Sequence, residues 1–390
     1  MSHLIKLLLA LLPVAALQAQ HDDVLQVLKR IEANNLELQA ARHATDAQKA
    51  EARTQLNLDN PELSFSAMKG PDNAKSHEFA IMQGFAFPTH YVAMNRQVKH
   101  QNAQADATHA LVRRNILLQA HMLCLELIAN EKLMLCLQRR DTTLAHLARL
   151  YDQAMKQGDV SAIDASRLAT QQIALKADLQ QARQQHTELQ AQLQALNGGA
   201  PLNFSANRFP EASLPLDTAA LFSHHLATHP LVRQSKAEAD VAHQNISTTR
   251  TAALPSFGVG YKQSREGFAT HRGVQLSMSI PLFAHRSRTK AAKAQAACTE
   301  LQVKNQEHEL RTALSEQWHR AEQLQLTLKQ MPTHTLDQAL TLLMQALEAQ
   351  EITLQQYVQE QADIFNTLTQ RIALELEYHK AIATLNQHAL

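Results

Sequence analysis

The chain is poor in glycine, in aromatic residues and in cysteine, and it has no long apolar run outside its first twenty residues. Nine glycines in 390 residues and an aromatic content of 4% suit helices, and they argue against an all-β fold and against a conventional pocket-bearing enzyme. Charge of one sign is also missing: 37 basic residues face 36 acidic ones, which argues against nucleic acid as a partner. The three cysteines make no disulfide framework. Cys124 and Cys136 fall on one expected helix, roughly 18 Å apart by the helical rise, and Cys298 stands alone. All three are expected to be buried small apolar residues.

What is abundant is Ala, Leu and Gln, the composition of long packed helices. Residues 1–19 have the layout of an export signal: Lys6, an apolar core from Leu7 to Leu17, and a small-residue cleavage point after Ala19. That core is shorter than the roughly 20 residues of a spanning helix. No cysteine follows it, which argues against a lipid-anchored N-terminus. Nothing downstream resembles a transmembrane helix, so a membrane segment here has to be built of strands.

Two such stretches exist. In Ser256 to Phe283, Phe257, Val259 and Tyr261 alternate with small or polar residues, and Val274, Leu276, Met278 and Ile280 do so again after a polar interruption from Ser264 to Arg272. Period two implies one apolar and one polar face. Glu62 to Pro88 carries a similar pair, with Leu63, Phe65 and Ala67 in one arm, Phe79, Ile81, Phe85 and Phe87 in the other, and Gly70-Pro71-Asp72-Asn73 as the turn. An isolated hairpin is marginal in water, so each pair needs partners.

The remainder is helical by pattern. Asp22 to Ala33 places Val24, Leu25, Val27, Leu28 and Ile31 on its inner side, and Leu36 to about Leu58 follows. Tyr91 to Gln157 contains neither glycine nor proline and makes a rod of roughly 100 Å. Gly158-Asp159-Val160-Ser161 interrupts it, and Ala162 to Leu196 returns, with Leu175, Leu179, Leu189, Leu193 and Leu196 near a coiled-coil seam and Asn197-Gly198-Gly199 as a cap. The second half repeats this order. Pro61 matches Pro255, Pro88 matches Pro281, and Asp159-Val160-Ser161 matches Glu351-Ile352-Thr353, at offsets of 194, 193 and 192 by subtraction of residue numbers. Pro332, inside the second long helix, is expected to kink it. The division is thus 1–19 signal peptide; 20–199 first repeat, with strands at about 62–69 and 77–88; 200–215 a linker rich in Pro, Asn and Ser; and 216–390 second repeat, with strands at about 256–264 and 272–282.

Four strands of about ten residues have the length of tilted membrane strands but cannot close a barrel, and an open edge in lipid is not tolerated. Oligomerisation resolves this. Here the order of signal peptide, helix, strand pair, long helix, glycine-marked turn and return helix, duplicated, resembles the TolC family of outer-membrane efflux proteins over essentially the whole mature chain. Gly158-Asp159-Val160-Ser161-Ala162-Ile163-Asp164 is similar to the family's helix-turn-helix tip, and Ser279-Ile280-Pro281-Leu282-Phe283 to its exit from the second hairpin. The resemblance implies a mainly α protomer with membrane β, assembled as a homotrimer whose 12-stranded β-barrel continues into a 12-helix coiled-coil α-barrel. It implies a passive exit duct with helices in the periplasm, joined through a periplasmic adaptor to an inner-membrane pump of the RND type.

On that resemblance the adaptor-contacting tips are Gly158, Asp159, Val160 and Ser161, and Gln350, Glu351, Ile352 and Thr353. The periplasmic aperture is Asp164, Gln356 and Gln359, with Glu360 and Asp363 near it. Gln350 occupies a glycine place, and Gln356 and Gln359 stand where acids are expected, which weakens a cation-selective carboxylate ring. Phe257, Val259, Tyr261, Val274, Leu276 and Met278 are expected to face lipid. Gln83 to Tyr91 is similar to that segment in members that work with heavy-metal pumps.

No cofactor, metal site or catalytic group is expected. The His225/His229 pair has an i, i+4 spacing, but Pro230 disfavours helical geometry at His229, so both count as surface or packing residues, and Arg139-Arg140 as a solvated pair. Two alternatives stay open: a periplasmic coiled-coil adaptor or scaffold, and a type I protein-secretion exit duct.

Overall fold

The computed structural model describes residues 24–69, 75–157, 161–215, 217–266, 269–281 and 285–386. The expected signal peptide, the Gly70 to Asn73 turn, Leu282-Phe283 and the tip residues Gly158, Asp159 and Val160 lie outside the described residues. The first half comprises α1 (24–34), α2 (Leu36–Thr54), β1 (Glu62–Lys69), β2 (Lys75–Phe85), α3 (Pro88–Gln157) and α4 (Ala162–Leu196). The second comprises α5 (Thr218–Thr228), α6 (Pro230–Thr251), β3 (Ser256–Glu266), β4 (Ala269–Ser279), α7 (His285–Gln330), α8 (Thr333–Glu348) and α9 (Leu354–Leu385).

Two compact units form, and both draw on both halves. One holds the described parts of Met1–Gln39, Arg113–Ser223 and Arg311–Leu390; the other holds those of Ala40–Val112 and His224–Leu310. Neither unit coincides with a sequence half, because the repeated elements of the two halves pack with each other.

In the first unit the core runs along α3, α4 and α9. Leu137, Leu144 and Leu147 of α3 meet Leu168, Leu175 and Leu179 of α4 and Leu354 and Tyr357 of α9. The seam residues Leu175, Leu179, Leu189 and Leu193 are buried, and Leu196 is half-buried. On α1, Val24, Val27, Leu28 and Ile31 are buried while Leu25 faces out at 39% exposure. Asn35 separates α1 from α2: its Oδ1 accepts from the Leu38 N–H at 2.8 Å and its Nδ2 donates to the Leu196 carbonyl at 2.8 Å. The 200–215 segment has no regular structure, yet it docks on this unit. Leu202, Phe204 and Ala206 are buried, Phe209 stacks on His379 at 4.4 Å, and Trp318 donates to the Pro215 carbonyl. Burial pushes His379 down to about 4, so it packs there as a neutral ring.

The kink expected at Pro332 is a break. α7 stops at Gln330, and Pro332 becomes the N-cap of α8. Proline has no N–H for the Leu328 carbonyl four residues back; Arg371 of α9 supplies the donor instead, its Nη1 reaching Leu328 O at 2.9 Å and Met331 O at 2.5 Å. Two other expectations are corrected and a third is narrowed. Cys298 is exposed and Cys136 half-buried; of the three cysteines only Cys124 is buried, its thiol pushed up to about 12 by burial. Of the surface or packing roles expected for His225 and His229, the structure selects packing: they are 0% and 3% exposed. The Arg139-Arg140 pair splits: Arg139 pairs with Asp337 at 2.6 Å, whereas Arg140 is half-buried over the Phe365 ring.

Two helix ends show left-handed caps. Gly198 (φ 67°) and Gly199 close α4 with N–H groups bonded to the Ala195 and Gln194 carbonyls, and a Cβ at Gly198 would lie 2.5 Å from the Asn34 carbonyl oxygen. After α8 the same geometry is held by Gln350 at φ 60°, with Gln350 N bonded to Leu347 O and Glu351 N to Ala346 O. A side chain in the left-handed region is strained, so Gln350→Gly is expected to stabilise the fold by about 1 kcal/mol, read as a raised midpoint in thermal unfolding followed by circular dichroism.

Candidate functional site: the strand face and the helix-turn end

The second unit contains one four-stranded antiparallel sheet in the order β1-β2-β3-β4. The hairpins of the two halves are therefore not isolated: β2 pairs with β3 from Ser76↔Glu266 to Phe85↔Phe257. Gly260 permits that approach, since a Cβ there would lie 2.3 Å from the Ile81 carbonyl oxygen and 2.2 Å from the Met82 sulfur.

Register decides the chemistry of each face. Phe257 lies opposite Met278, Val259 opposite Leu276, and Tyr261 opposite Val274, so the six singled-out residues share one face. The same rows continue across the sheet, with Ile81 opposite Tyr261 and Leu63, and Phe65 opposite Phe79. This face is exposed: Leu276 by 80%, Val274 by 76%, Phe65 by 69% and Leu63 by 66%. The other face carries Gly258, Gly260, Ser264, Gln275 and Ser277, with Lys262 paired to Glu78 at 2.7 Å. The outer edges of β1 and β4 have no strand partner among the described residues.

Strand boundaries differ from expectation. β3 runs through Glu266 and β4 starts at Ala269, so most of the supposed loop from Ser264 to Arg272 is strand. β2 begins at Lys75 and ends at Phe85, which leaves Phe87 outside it. An alternation judged on apolar residues stops where one face turns charged, although the backbone pairing continues.

The helix-turn end lies in the first unit. Ser161 caps α4, its hydroxyl accepting from the Ile163 N–H at 3.2 Å. Thr353 caps α9 through a capping box: its hydroxyl accepts from the Gln356 N–H, and its own N–H donates to Gln356 Oε1 at 2.9 Å. A cleft of about 710 Å³ opens between the first turns of α4 and α9, lined among others by Ile163, Arg167, Leu354, Gln355, Gln359 and Asp363.

The three residues expected at an aperture do not share this lining. Gln359 does line the cleft, Gln356 is committed to its cap, and Asp164 sits 3.7 Å from Arg167. Arg167 also donates to Gln355 at 2.6 Å. Among the described residues no group of three or more His, Cys, Asp or Glu could hold a metal ion, and no helix is long and apolar enough to cross a membrane.

No known family model matches the chain, and no curated protein sequence does. Solved structures do match it. The CmeC outer membrane channel of Campylobacter jejuni is 13% identical, with 94% of this chain and 85% of that one covered at a TM-score of 0.77. CusC, solved in work on folding and transmembrane channel formation, is 11% identical over 94% and 92% at 0.79. The MtrE outer membrane channel of Neisseria gonorrhoeae, in its open state, is 15% identical over 94% and 88% at 0.72. At these identities the likeness is one of fold, and the chain has the protomer fold of outer-membrane channels of the TolC type, in line with the resemblance noted from its sequence.

Proposed function

We propose that this chain is one protomer of a trimeric outer-membrane exit duct. The observation that carries the proposal is a sheet with one exposed apolar face, one face of mainly small and polar residues, and two outer edges without a strand partner among the described residues. Its three longest strands have 11 residues each, matching the roughly 9–11 of a tilted membrane strand. Bare edges are intolerable in lipid, and four strands are too few to close, the smallest membrane barrels having about 8. Three copies joined edge to edge make a twelve-stranded barrel, the number that the resemblance implies, with Phe257, Val259, Tyr261, Val274, Leu276 and Met278 toward lipid and the glycine-rich face toward the lumen.

The long helices then extend into the periplasm as a coiled-coil tunnel. The turns at 158–161 and 350–353 meet a periplasmic adaptor, which joins the duct to an inner-membrane RND pump. The duct is passive and takes its cargo from that pump, and the Gln83 to Tyr91 similarity favours heavy-metal cations. A coiled-coil adaptor or scaffold would not need a sheet face of exposed apolar residues such as Leu63, Val274 and Leu276. Fractionation separates the two readings: the duct runs as a heat-modifiable trimer in the outer-membrane fraction, and a freely soluble monomer would rule it out.

A further inference from the structure

The apolar face does not end in neutral residues. At the hairpin end of the sheet, beyond Phe65 and Phe79, the same face presents Lys69 directly opposite Lys75, His77 directly opposite Arg265, and Arg272 beside them opposite Gln263. All five basic side chains are exposed, and His77 stacks on Phe65 at 6.1 Å. Charge is segregated by face: the strand carboxylates Glu62, Glu78 and Glu266 all project to the other side, where Lys262 is already paired. Among the described residues none of Lys69, Lys75, Arg265 and Arg272 has an ion-pair partner. Two ammonium groups set directly opposite each other, as at Lys69 and Lys75, repel unless an anion lies between them.

We propose that this row recognises the phosphate groups of phosphorylated glycolipids in the leaflet at the hairpin end. The inference rests on the reading that the apolar face meets lipid. Given that reading, the row sits where acyl chains give way to headgroups. Long basic stems lie along the last apolar side chains while their charged ends reach the phosphates, and guanidinium and ammonium groups are matched to phosphate oxygens. A protein partner is disfavoured, because it would have to approach from within the headgroup layer.

The test uses the full chain in nanodiscs containing a diphosphorylated glycolipid or the same glycolipid after dephosphorylation, with bound lipid counted by native mass spectrometry. Wild type is expected to retain the phosphorylated form about tenfold more, as cations near an anionic headgroup surface imply. The quadruple variant Lys69→Gln, Lys75→Gln, Arg265→Gln and Arg272→Gln should lose most of that preference. The charge-conserving set Lys69→Arg, Lys75→Arg, Arg265→Lys and Arg272→Lys should keep it. Equal retention of the two glycolipids by wild type, or an unchanged preference in the glutamine variant, overturns the proposal. Insertion and trimer formation in purely zwitterionic lipid are measured first. Failure there refutes the membrane reading itself, whereas normal insertion without a phosphate preference refutes only the basic row.

Discussion

Leu276→Arg is expected to strip the protein of most of its membrane-inserted trimer, while Gln275→Arg, one residue away, leaves it nearly intact. The two positions are neighbours on β4 and both are exposed, but they project from opposite faces: Leu276 is paired with Val259 in an apolar row, and Gln275 with Gly260 on the small-residue face. A charge at the bilayer midplane of a β-barrel costs about 2–4 kcal/mol, and in a trimer the cost applies to each protomer. On a water-filled lumen the same charge costs little. Heat-modifiable trimer in the outer-membrane fraction is the readout, and equal yields for the two variants would remove the basis for assigning the faces.

The second large effect is expected at the α7/α8 break. Arg371 is 18% exposed, binds two carbonyls at the end of α7, and pairs through Nη2 with Glu375 at 2.9 Å. Charge-assisted hydrogen bonds of this kind contribute about 1.5–3 kcal/mol, so Arg371→Met should lower stability by about 2–3 kcal/mol, seen as a drop in the thermal midpoint. Glu375 keeps Lys132 as a partner, which limits the loss. The cause is checked by the double variant. Pro332→Ala restores an N–H four residues after Leu328, so the helix can satisfy that carbonyl itself. In the Pro332→Ala background Arg371→Met should cost less than half as much. Simple additivity of the two changes would show that the guanidinium does not substitute for the missing amide.

Both sites show what could be read from the sequence. Periodicity located the strands wherever their outward residues were apolar, since Val259, Leu276 and their neighbours alternate cleanly. It failed at Lys75, Arg265 and Ala269, where pairing continues but the apolar signal stops, so Lys75 and Arg265 fell outside the expected strands while Lys69 and His77 fell inside them. The β2/β3 seam was not legible either. Its partners lie in different halves of the chain, and it is marked by the close approaches allowed at Gly258 and Gly260.

The glycine place held by Gln350 was marked by the resemblance to the TolC family, and its left-handed backbone accounts for it. Gln356 was placed at an aperture by that same resemblance, but its side chain serves the α9 cap, a local competition that spacing alone does not reveal. At Pro332 the proline signalled an interruption. Whether the helix bends or stops depended on Arg371, 39 residues further along.

The central claim, a sheet with one face in lipid and one in water, is tested most directly by a cysteine scan of positions 273 to 278 in a background lacking Cys124, Cys136 and Cys298. Each single cysteine is labelled with a polarity-sensitive fluorophore in the reconstituted protein. The account predicts alternation: blue-shifted emission quenched by lipid-phase quenchers at 274, 276 and 278, and water-like emission quenched by iodide at 273, 275 and 277. Uniform water-like emission at all six positions would contradict it.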